Sequence, residues 1–244
     1  MCKSVDVKNV KIGVGMPKIC ASIVSETLQG IKKEAECLSH CDIVEWRSDF
    51  FNEIECKSKV KEALALIRDI LSNKPIIFTF RNESSAYFDL YKYVIDTELV
   101  EIVDIDLQND ESCIRSLINL AHEKNIAVIV SSHNFEKTPS KDEIIEEMRK
   151  AQSLGDISKI AVMPNSLRDV TTLLEAAVTM KESFRKPFIA ISMSSLGVIS
   201  RICCEDFGSA ITFASGKSAS ASGQISVLEM QKILKIISNN KAKT

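Results

Sequence analysis

The residue that most clearly suggests chemistry is Lys159, which lies within the apolar segment of residues 157–164. The segment is rich in β-branched and small apolar residues and stops at a proline, which is typical of a fully buried β-strand. Lysine is rarely buried unless it is paired or functional, and burial favours the neutral amine. A neutral amine that faces a cavity attacks carbonyl carbon and begins Schiff-base chemistry. One alternative stays open from this strand alone, a lysine at a strand end whose amine reaches solvent.

Polar residues also lie near the ends of four other predicted strands. Because side chains alternate along a strand, residues two apart share a face, and the pairs are Glu45 with Arg47, Thr79 with Arg81, Asp104 with Asp106, and Ser131 with His133. The arginines, together with Arg201 downstream, provide guanidinium groups suited to a carboxylate. Glu45 and Asp106 are able to hold those arginines, and the imidazole of His133 is the natural proton carrier. Arginines near Lys159 would also help to keep its amine neutral. The alternative for each residue alone is a solvated rim or a satisfied ion pair.

The elements that must position these residues alternate between strand and helix along the whole chain. The predicted strands span residues 18–23, 42–47, 75–81, 101–107, 126–131, 157–164, 187–193 and 210–214. The predicted helices span residues 25–38, 59–71, 88–97, 111–124, 140–153, 166–181, 196–205 and 224–239, and Ser140 with Glu143 forms a capping box for the fifth. Eight such units predict an α/β fold, a single (β/α)8 TIM barrel over residues 1–244. A short N-terminal β-hairpin within residues 5–15 would close the barrel bottom as part of residues 1–16. A doubly wound sheet would need a glycine-rich fingerprint after the first strand, which residues 22–25 lack.

Composition excludes several classes of function. The 244 residues are 45% hydrophobic and 26% charged with a net charge of −2, so the chain has no basic field for nucleic acid. No apolar run reaches membrane-spanning length, and the N-terminus has no signal-peptide core. Two cysteine pairs are candidate metal ligands, Cys37 with Cys41 and Cys203 with Cys204. With three scattered histidines and no CxxC pair, reduced cysteines of a cytoplasmic protein are the preferred interpretation, and neither metal nor cofactor is predicted.

The motifs, taken in order, resemble those of the type I 3-dehydroquinate dehydratase (3-dehydroquinase) family nearly from end to end. The matching pieces are residues 17–20, the ExRxD run of residues 45–49, residues 79–81, 159–164 and 200–201 with 208–210, and residues 220–224. Each motif alone is weak evidence, whereas their occurrence in this order is specific.

The resemblance implies a lyase of the shikimate pathway that converts 3-dehydroquinate to 3-dehydroshikimate, needs no cofactor and forms a homodimer. It implies that Lys159 forms an imine with the substrate ketone and that His133 acts as general base and acid. Arg201 would bind the substrate carboxylate, and the loop of residues 215–223 would act as a lid. The full set of predicted substrate-binding residues is Ser22, Glu45, Arg47, Arg81, Met193, Arg201, Ser220 and Gln224.

One departure from the family pattern affects the catalytic histidine. The family usually carries a glutamate four residues after the third-strand arginine, where it orients the histidine, followed by two glycines. Here Glu83 stands two residues after Arg81, Ser85 occupies the fourth place and the glycines are missing. Either Glu83 reaches His133 from a tighter loop, which we prefer and predict, or the partner is lost and activity falls.

Two other functions remain possible at this point. A class I Schiff-base aldolase also uses a barrel lysine, but it commonly needs a glycine-rich anion site after strands seven and eight, for which residues 194–197 are a poor candidate. A catalytically impaired paralogue would bind a hydroxylated carboxylate without turnover, and the altered segment after Arg81 is its support.

Overall fold

Eight parallel strands and the helices between them account for most of the chain. The computed structural model describes residues 4–81, 87–216 and 223–241. Two short strands come first, β1 (Val5–Val7) and β2 (Val10–Ile12). The barrel strands are β3 (Lys18–Ile23), β4 (Ile43–Arg47), β5 (Ile76–Thr79), β6 (Ile102–Asp106), β7 (Ala127–Asn134), β8 (Ile157–Val162), β9 (Phe188–Ser192) and β10 (Ile211–Ala214). The helices are α1 (Leu28–Ala35), α2 (Lys57–Ile70), α3 (Tyr87–Thr97), α4 (Glu111–Glu123), α5 (Lys141–Leu154), α6 (Leu167–Ser183), α7 (Val198–Ile202), α8 (Cys204–Phe207) and α9 (Val227–Lys241). A 3-10 turn covers Ser48–Phe50.

The sheet closes in the order expected for a (β/α)8 barrel. Each strand pairs in parallel with the next, and β10 pairs with β3. Between β9 and β10 a parallel bridge joins Phe188 to Ser209, so the barrel is nearly closed. The prediction of a TIM barrel with an N-terminal hairpin is therefore confirmed.

The barrel interior changes from apolar to polar along the strands. The lower layer consists of buried residues that pack together with Val7 and Ile12 of the hairpin, and they are Cys20, Ile43, Ile77, Ile102, Ile129, Ile157, Ile189 and Ile211. Two residues further along the same strands, the inward positions include Ser22, Glu45, Thr79, Asp104, Ser131 and Lys159. Because alternation keeps residues two apart on one face, the apolar floor places this polar layer toward the C-terminal ends, where barrel enzymes hold their active sites.

Two boundaries differ from the predictions in ways that matter for the site. Strand β7 continues to Asn134 instead of ending at residue 131, because it pairs with β8 as far as Asn134 with Val162. His133 is therefore part of the strand. The predicted single helix over residues 196–205 is two short helices, since the backbone at Cys203 leaves helical geometry (φ −94°, ψ 18°). The break ends α7, the short helix that carries Arg201. The Arg201 carbonyl accepts a hydrogen bond from the Thr212 hydroxyl.

Candidate active site

Lys159 lies in the polar layer of the barrel, and its side chain points inward from the middle of β8. The residue is only 5% exposed. Its Nζ lies 2.8 Å from Asp104 Oδ2, 3.7 Å from Glu45 Oε1 and 4.6 Å above the centroid of the Phe213 ring. The alternative of a solvent-reaching amine is therefore wrong. The inward alternation of β4 and β6 places two carboxylates, those of Glu45 and Asp104, next to the amine.

Asp104 connects the charged groups of the site. Its buried carboxylate accepts hydrogen bonds from Lys159 Nζ at 2.8 Å, Arg81 Nη2 at 2.6 Å and Ser131 Oγ at 2.5 Å. Burial opposes ionisation, but the positive charges of Arg81 and Lys159 hold the pKa of Asp104 far below its usual range. Asp104 is not among the site residues predicted from the sequence, where it is only one member of an alternating pair. Its inward phase, shared with Asp106, was the signal that pointed to it.

Glu45 is a second buried carboxylate, held mainly by hydroxyl groups. It accepts hydrogen bonds from Ser22 Oγ at 2.6 Å and from Thr79 Oγ1 at 3.0 Å. Burial again opposes ionisation, while the charges of Lys159 and Arg47 lower the pKa of Glu45. The site therefore holds two carboxylates that remain ionised and surround one amine.

His133 lies next to this cluster, near the end of β7. Its side chain is 12% exposed, and Nδ1 lies 3.7 Å from Asp106 Oδ2. Burial and the positive charge of Arg81 lower the pKa of His133 to about 4, although Asp106 acts in the opposite direction. The imidazole is therefore neutral near pH 7 and able to accept a proton.

The three predicted arginines have different partners. Arg81 pairs with Asp104 and with Asp106, and although burial opposes its charge, these carboxylates raise the pKa of its guanidinium. Arg47 binds Asp49 through two hydrogen bonds of 2.9 and 2.8 Å. Glu45 was expected to hold an arginine by direct contact, but the 3-10 turn after β4 brings Asp49 to Arg47 instead.

Arg201 is the exception, since no carboxylate pairs with it among the residues that the structure describes. It is 3% exposed, its Nε has no hydrogen-bond partner in the same part of the chain, and Nη1 reaches the Phe213 carbonyl only at 3.4 Å. Burial lowers the pKa of Arg201 to about 10. A buried guanidinium in this condition is suited to bind an anion from outside the chain.

These side chains open into one cavity of about 250 Å³. The predicted residues that line it are Ser22, Glu45, Arg47, Arg81, His133, Lys159, Met193, Arg201 and Gln224. The sequence analysis missed the apolar part of the lining, which consists of Phe50, Phe135, Ala161, Ile191 and Phe213. Glu83 and Ser220 lie outside the described residues, as does most of the predicted lid. A cavity with cations, carboxylates, one amine and one imidazole over an apolar floor fits a small hydroxylated carboxylate.

The structure also bears on a metal site and on a membrane-spanning helix. Across residues 4–81, 87–216 and 223–241, no group of three or more His, Cys, Asp or Glu side chains is arranged to hold a metal ion. In the same residues no helix is long and apolar enough to cross a bilayer.

Comparison with known proteins gives a consistent result. A family model described as type I 3-dehydroquinase matches residues 19–241. The 3-dehydroquinate dehydratase of Clostridium novyi is 45% identical over 97% of this chain and 99% of its own length, and that of Alkaliphilus oremlandii is 47% identical over 97% and 98%. The crystal structure of the type I 3-dehydroquinate dehydratase from Clostridium difficile with covalently modified comenic acid superposes with a TM-score of 0.95 at 42% identity, covering 98% of this chain and all of that one.

Proposed function

The chain belongs to the type I 3-dehydroquinase family of carbon–oxygen lyases, and from this premise we propose that it dehydrates 3-dehydroquinate to 3-dehydroshikimate through an imine on Lys159. The observation that carries the proposal is the convergence on one cavity of a buried amine, a neutral imidazole and a guanidinium with no carboxylate partner among the described residues. The reaction belongs to the shikimate pathway, which leads to aromatic amino acids.

The first step of the proposed mechanism joins Lys159 to the substrate. The Lys159 ammonium passes one proton to neutral His133, and the free amine adds to the ketone carbon. The carbonyl oxygen leaves as water, with one proton from the amine and the one that His133 returns, so a cationic C=N group forms. This iminium withdraws electrons more strongly than the ketone and makes the neighbouring C–H more acidic. Asp104 and Glu45, at 2.8 and 3.7 Å from Nζ, provide the negative charge that stabilises the cationic iminium.

His133 moves the protons in the second step. Its neutral imidazole removes the proton from the carbon next to the iminium, and the electron pair forms an enamine. The enamine expels the β-hydroxyl group, to which protonated His133 returns the proton, so water leaves and a conjugated iminium remains. Hydrolysis of that iminium releases the enone product and frees Lys159. The low pKa of His133, about 4, keeps the base available across the neutral range.

Recognition of the substrate falls to the charged and hydroxyl groups around the cavity. Arg201 binds the substrate carboxylate, because a buried guanidinium gains most from an anionic partner. The ring hydroxyls contact polar side chains at the strand ends, and the proposed set is Ser22, Glu45, Arg47, Arg81, Ser220 and Gln224. Met193 packs against the ring.

Borohydride reduction in the presence of product tests the proposal. Reduction of the imine fixes the ligand to the protein, and peptide mass spectrometry should find the added mass on Lys159. The Lys159→Met variant should give no adduct and no turnover, whereas Lys186→Met, which removes a lysine outside the cavity, should behave as wild type. An adduct on another lysine, or turnover by Lys159→Met, would contradict the mechanism.

The same assay separates the two alternative functions. A non-catalytic paralogue would bind 3-dehydroquinate in a calorimeter without the absorbance rise of a conjugated enone. An aldolase would cleave sugar phosphates without dehydrating 3-dehydroquinate. We further propose that the chain is a single domain over residues 1–244 and works as a cytoplasmic homodimer. Sedimentation velocity tests the homodimer, and cell fractionation tests the location.

A further inference from the structure

The buried nitrogen of the catalytic imidazole lacks a partner. His133 Nδ1 is inaccessible to solvent and makes no direct hydrogen bond with any described residue. The carboxylate beside it belongs to Asp106, whose Oδ2 is 3.7 Å away. A buried polar group without a partner is costly, so this gap calls for a physical reason.

The state of Nδ1 decides what the other ring nitrogen does. A neutral imidazole carries one proton, and it accepts a proton through Nε2 only when that proton is on Nδ1. An acceptor at Nδ1 fixes this tautomer, whereas without one the ring divides between two forms. Hydrogen bonds of this kind are often long before substrate binds and shorten in the complex.

Asp106 is held by its surroundings so that it faces the histidine. Its Oδ2 accepts a hydrogen bond from Arg81 Nη1 at 3.1 Å, and its Oδ1 accepts one from the Gln108 amide at 3.0 Å. Its own amide donates to the Tyr87 hydroxyl at 3.3 Å. These bonds leave the carboxylate little freedom to turn away from His133.

The other side of the ring is fixed by Phe135. The two rings stack at a centroid distance of 5.8 Å and an angle of 17°. The charges of Arg81, Lys159 and Asp104 affect the pKa of His133 through space, without a hydrogen bond to the ring. Asp106 is thus the carboxylate placed to accept a hydrogen bond from Nδ1–H. Its pKa is lowered, against the effect of burial, by its contact with His133 and by the charge of Arg81, so it stays ionised.

We infer that Asp106 is the residue that positions His133, and that it does so by accepting a hydrogen bond from Nδ1–H as the 3.7 Å gap closes when substrate binds. Glu83, which was predicted for this role, lies outside the described residues and is the competing candidate. The inference deepens the proposed function and rests on it.

Four variants test the inference in the full-length enzyme. Asp106→Asn should lower kcat roughly 100-fold with little change in KM, while borohydride with product still labels Lys159 fully. Asp106→Glu restores a carboxylate and should recover most of kcat. Glu83→Gln tests the competing candidate for the same role and should lower kcat far less than Asp106→Asn. Asp156→Asn removes the carboxylate paired with surface His122 and should have no effect.

The pH profile provides a readout that a purely structural role would leave unchanged. The negative charge of Asp106 raises the pKa of His133, so the acid limb of kcat should move to lower pH in Asp106→Asn and return in Asp106→Glu. Arg81 keeps its 2.6 Å bond with Asp104 in both variants, which limits indirect effects on the arginine. A loss of kcat with an unmoved acid limb, or without recovery in Asp106→Glu, would overturn the inference.

A measurement without turnover separates this inference from the proposed function. Nitrogen-15 chemical shifts of the His133 ring should report the Nδ1–H tautomer in the wild-type protein at pH 7 and a mixture in Asp106→Asn. If the wild-type enzyme neither turns over nor forms an adduct, the proposed function fails while the tautomer still tests the pairing. If Glu83→Gln and not Asp106→Asn changes the tautomer and kcat, Glu83 holds the role.

Discussion

A single carboxylate organises the chemistry of this site. Asp104 is fully buried and binds Lys159, Arg81 and Ser131, while its backbone carbonyl accepts a hydrogen bond of 2.5 Å from the Tyr91 hydroxyl. Removing one partner from a buried group of charges usually costs several kcal/mol, because it leaves another charge buried alone. Arg201 differs from Asp104, because no carboxylate pairs with it among the described residues. An anion from outside the chain would supply the missing partner.

This difference predicts that Arg201 lowers stability while it serves binding. Replacing it by methionine in Arg201→Met removes a buried charge and keeps the apolar volume, so the free energy of unfolding in urea should rise by about 1–3 kcal/mol. KM for 3-dehydroquinate should rise at least tenfold, because the substrate carboxylate loses its partner. Arg115→Met, on the exposed surface of α4, should change neither quantity. A fall in stability together with an unchanged KM would show that Arg201 is structural.

Short-range features place each element where the site needs it. Helix α5 follows the strand of His133 and begins with the predicted capping box, in which the Glu143 carboxylate accepts from the Ser140 amide at 2.8 Å and the Ser140 hydroxyl accepts from the Glu143 amide. Helix α3 provides Tyr91 and Tyr87, which hold the backbone of Asp104 and Asp106. Helix α3 thus fixes the strand end that carries Asp104 and Asp106.

The capping box predicts a specific loss of stability. Ser140→Ala removes the hydroxyl that caps α5 and should lower the free energy of unfolding by about 1 kcal/mol. Ser153→Ala, near the other end of the same helix, removes an exposed hydroxyl that donates to the Lys150 carbonyl and should be neutral within about 0.5 kcal/mol. Urea denaturation of both variants measures the difference, and equal effects would show that the cap contributes nothing specific.

On the scale of the whole molecule, stability and chemistry lie at opposite ends of the barrel. Val7 and Ile12 of the hairpin pack on the apolar floor, whereas the cavity opens above the polar layer. Lys8 ties the hairpin to the ion pair of Arg68 and Glu101, with Nζ 3.3 Å from the Glu101 carboxylate. Changes at the floor are therefore expected to affect folding more than catalysis.

A substitution in the hairpin tests this separation. Ile12 is fully buried, so Ile12→Ala should lower the free energy of unfolding by about 2–5 kcal/mol. The kcat and KM of the folded fraction should stay unchanged, because the floor lies below the polar layer. Val14→Ala, at a position 48% exposed, is the matched control and should have little effect. A changed KM in Ile12→Ala would show that the floor and the site are coupled.

Several features of this protein follow from the sequence alone, because local periodicity determines them. Alternation with a period of two places Lys159, His133, Glu45 and Arg81 on inward faces, and the repetition of strand and helix predicts the barrel. The capping box of Ser140 also depends only on neighbouring residues, and the structure contains it as predicted.

Other features required the tertiary structure, because they depend on how distant strands align. Asp104 is 55 residues from Lys159 in sequence, and only barrel closure brings the two within 2.8 Å. For the same reason the nearest charges to the amine are carboxylates, and Asp106 lies beside His133 although 27 residues separate them in sequence. Residue type and phase along one strand determined which side chains point inward. The register between strands, fixed by packing of the whole barrel, decided which of them meet.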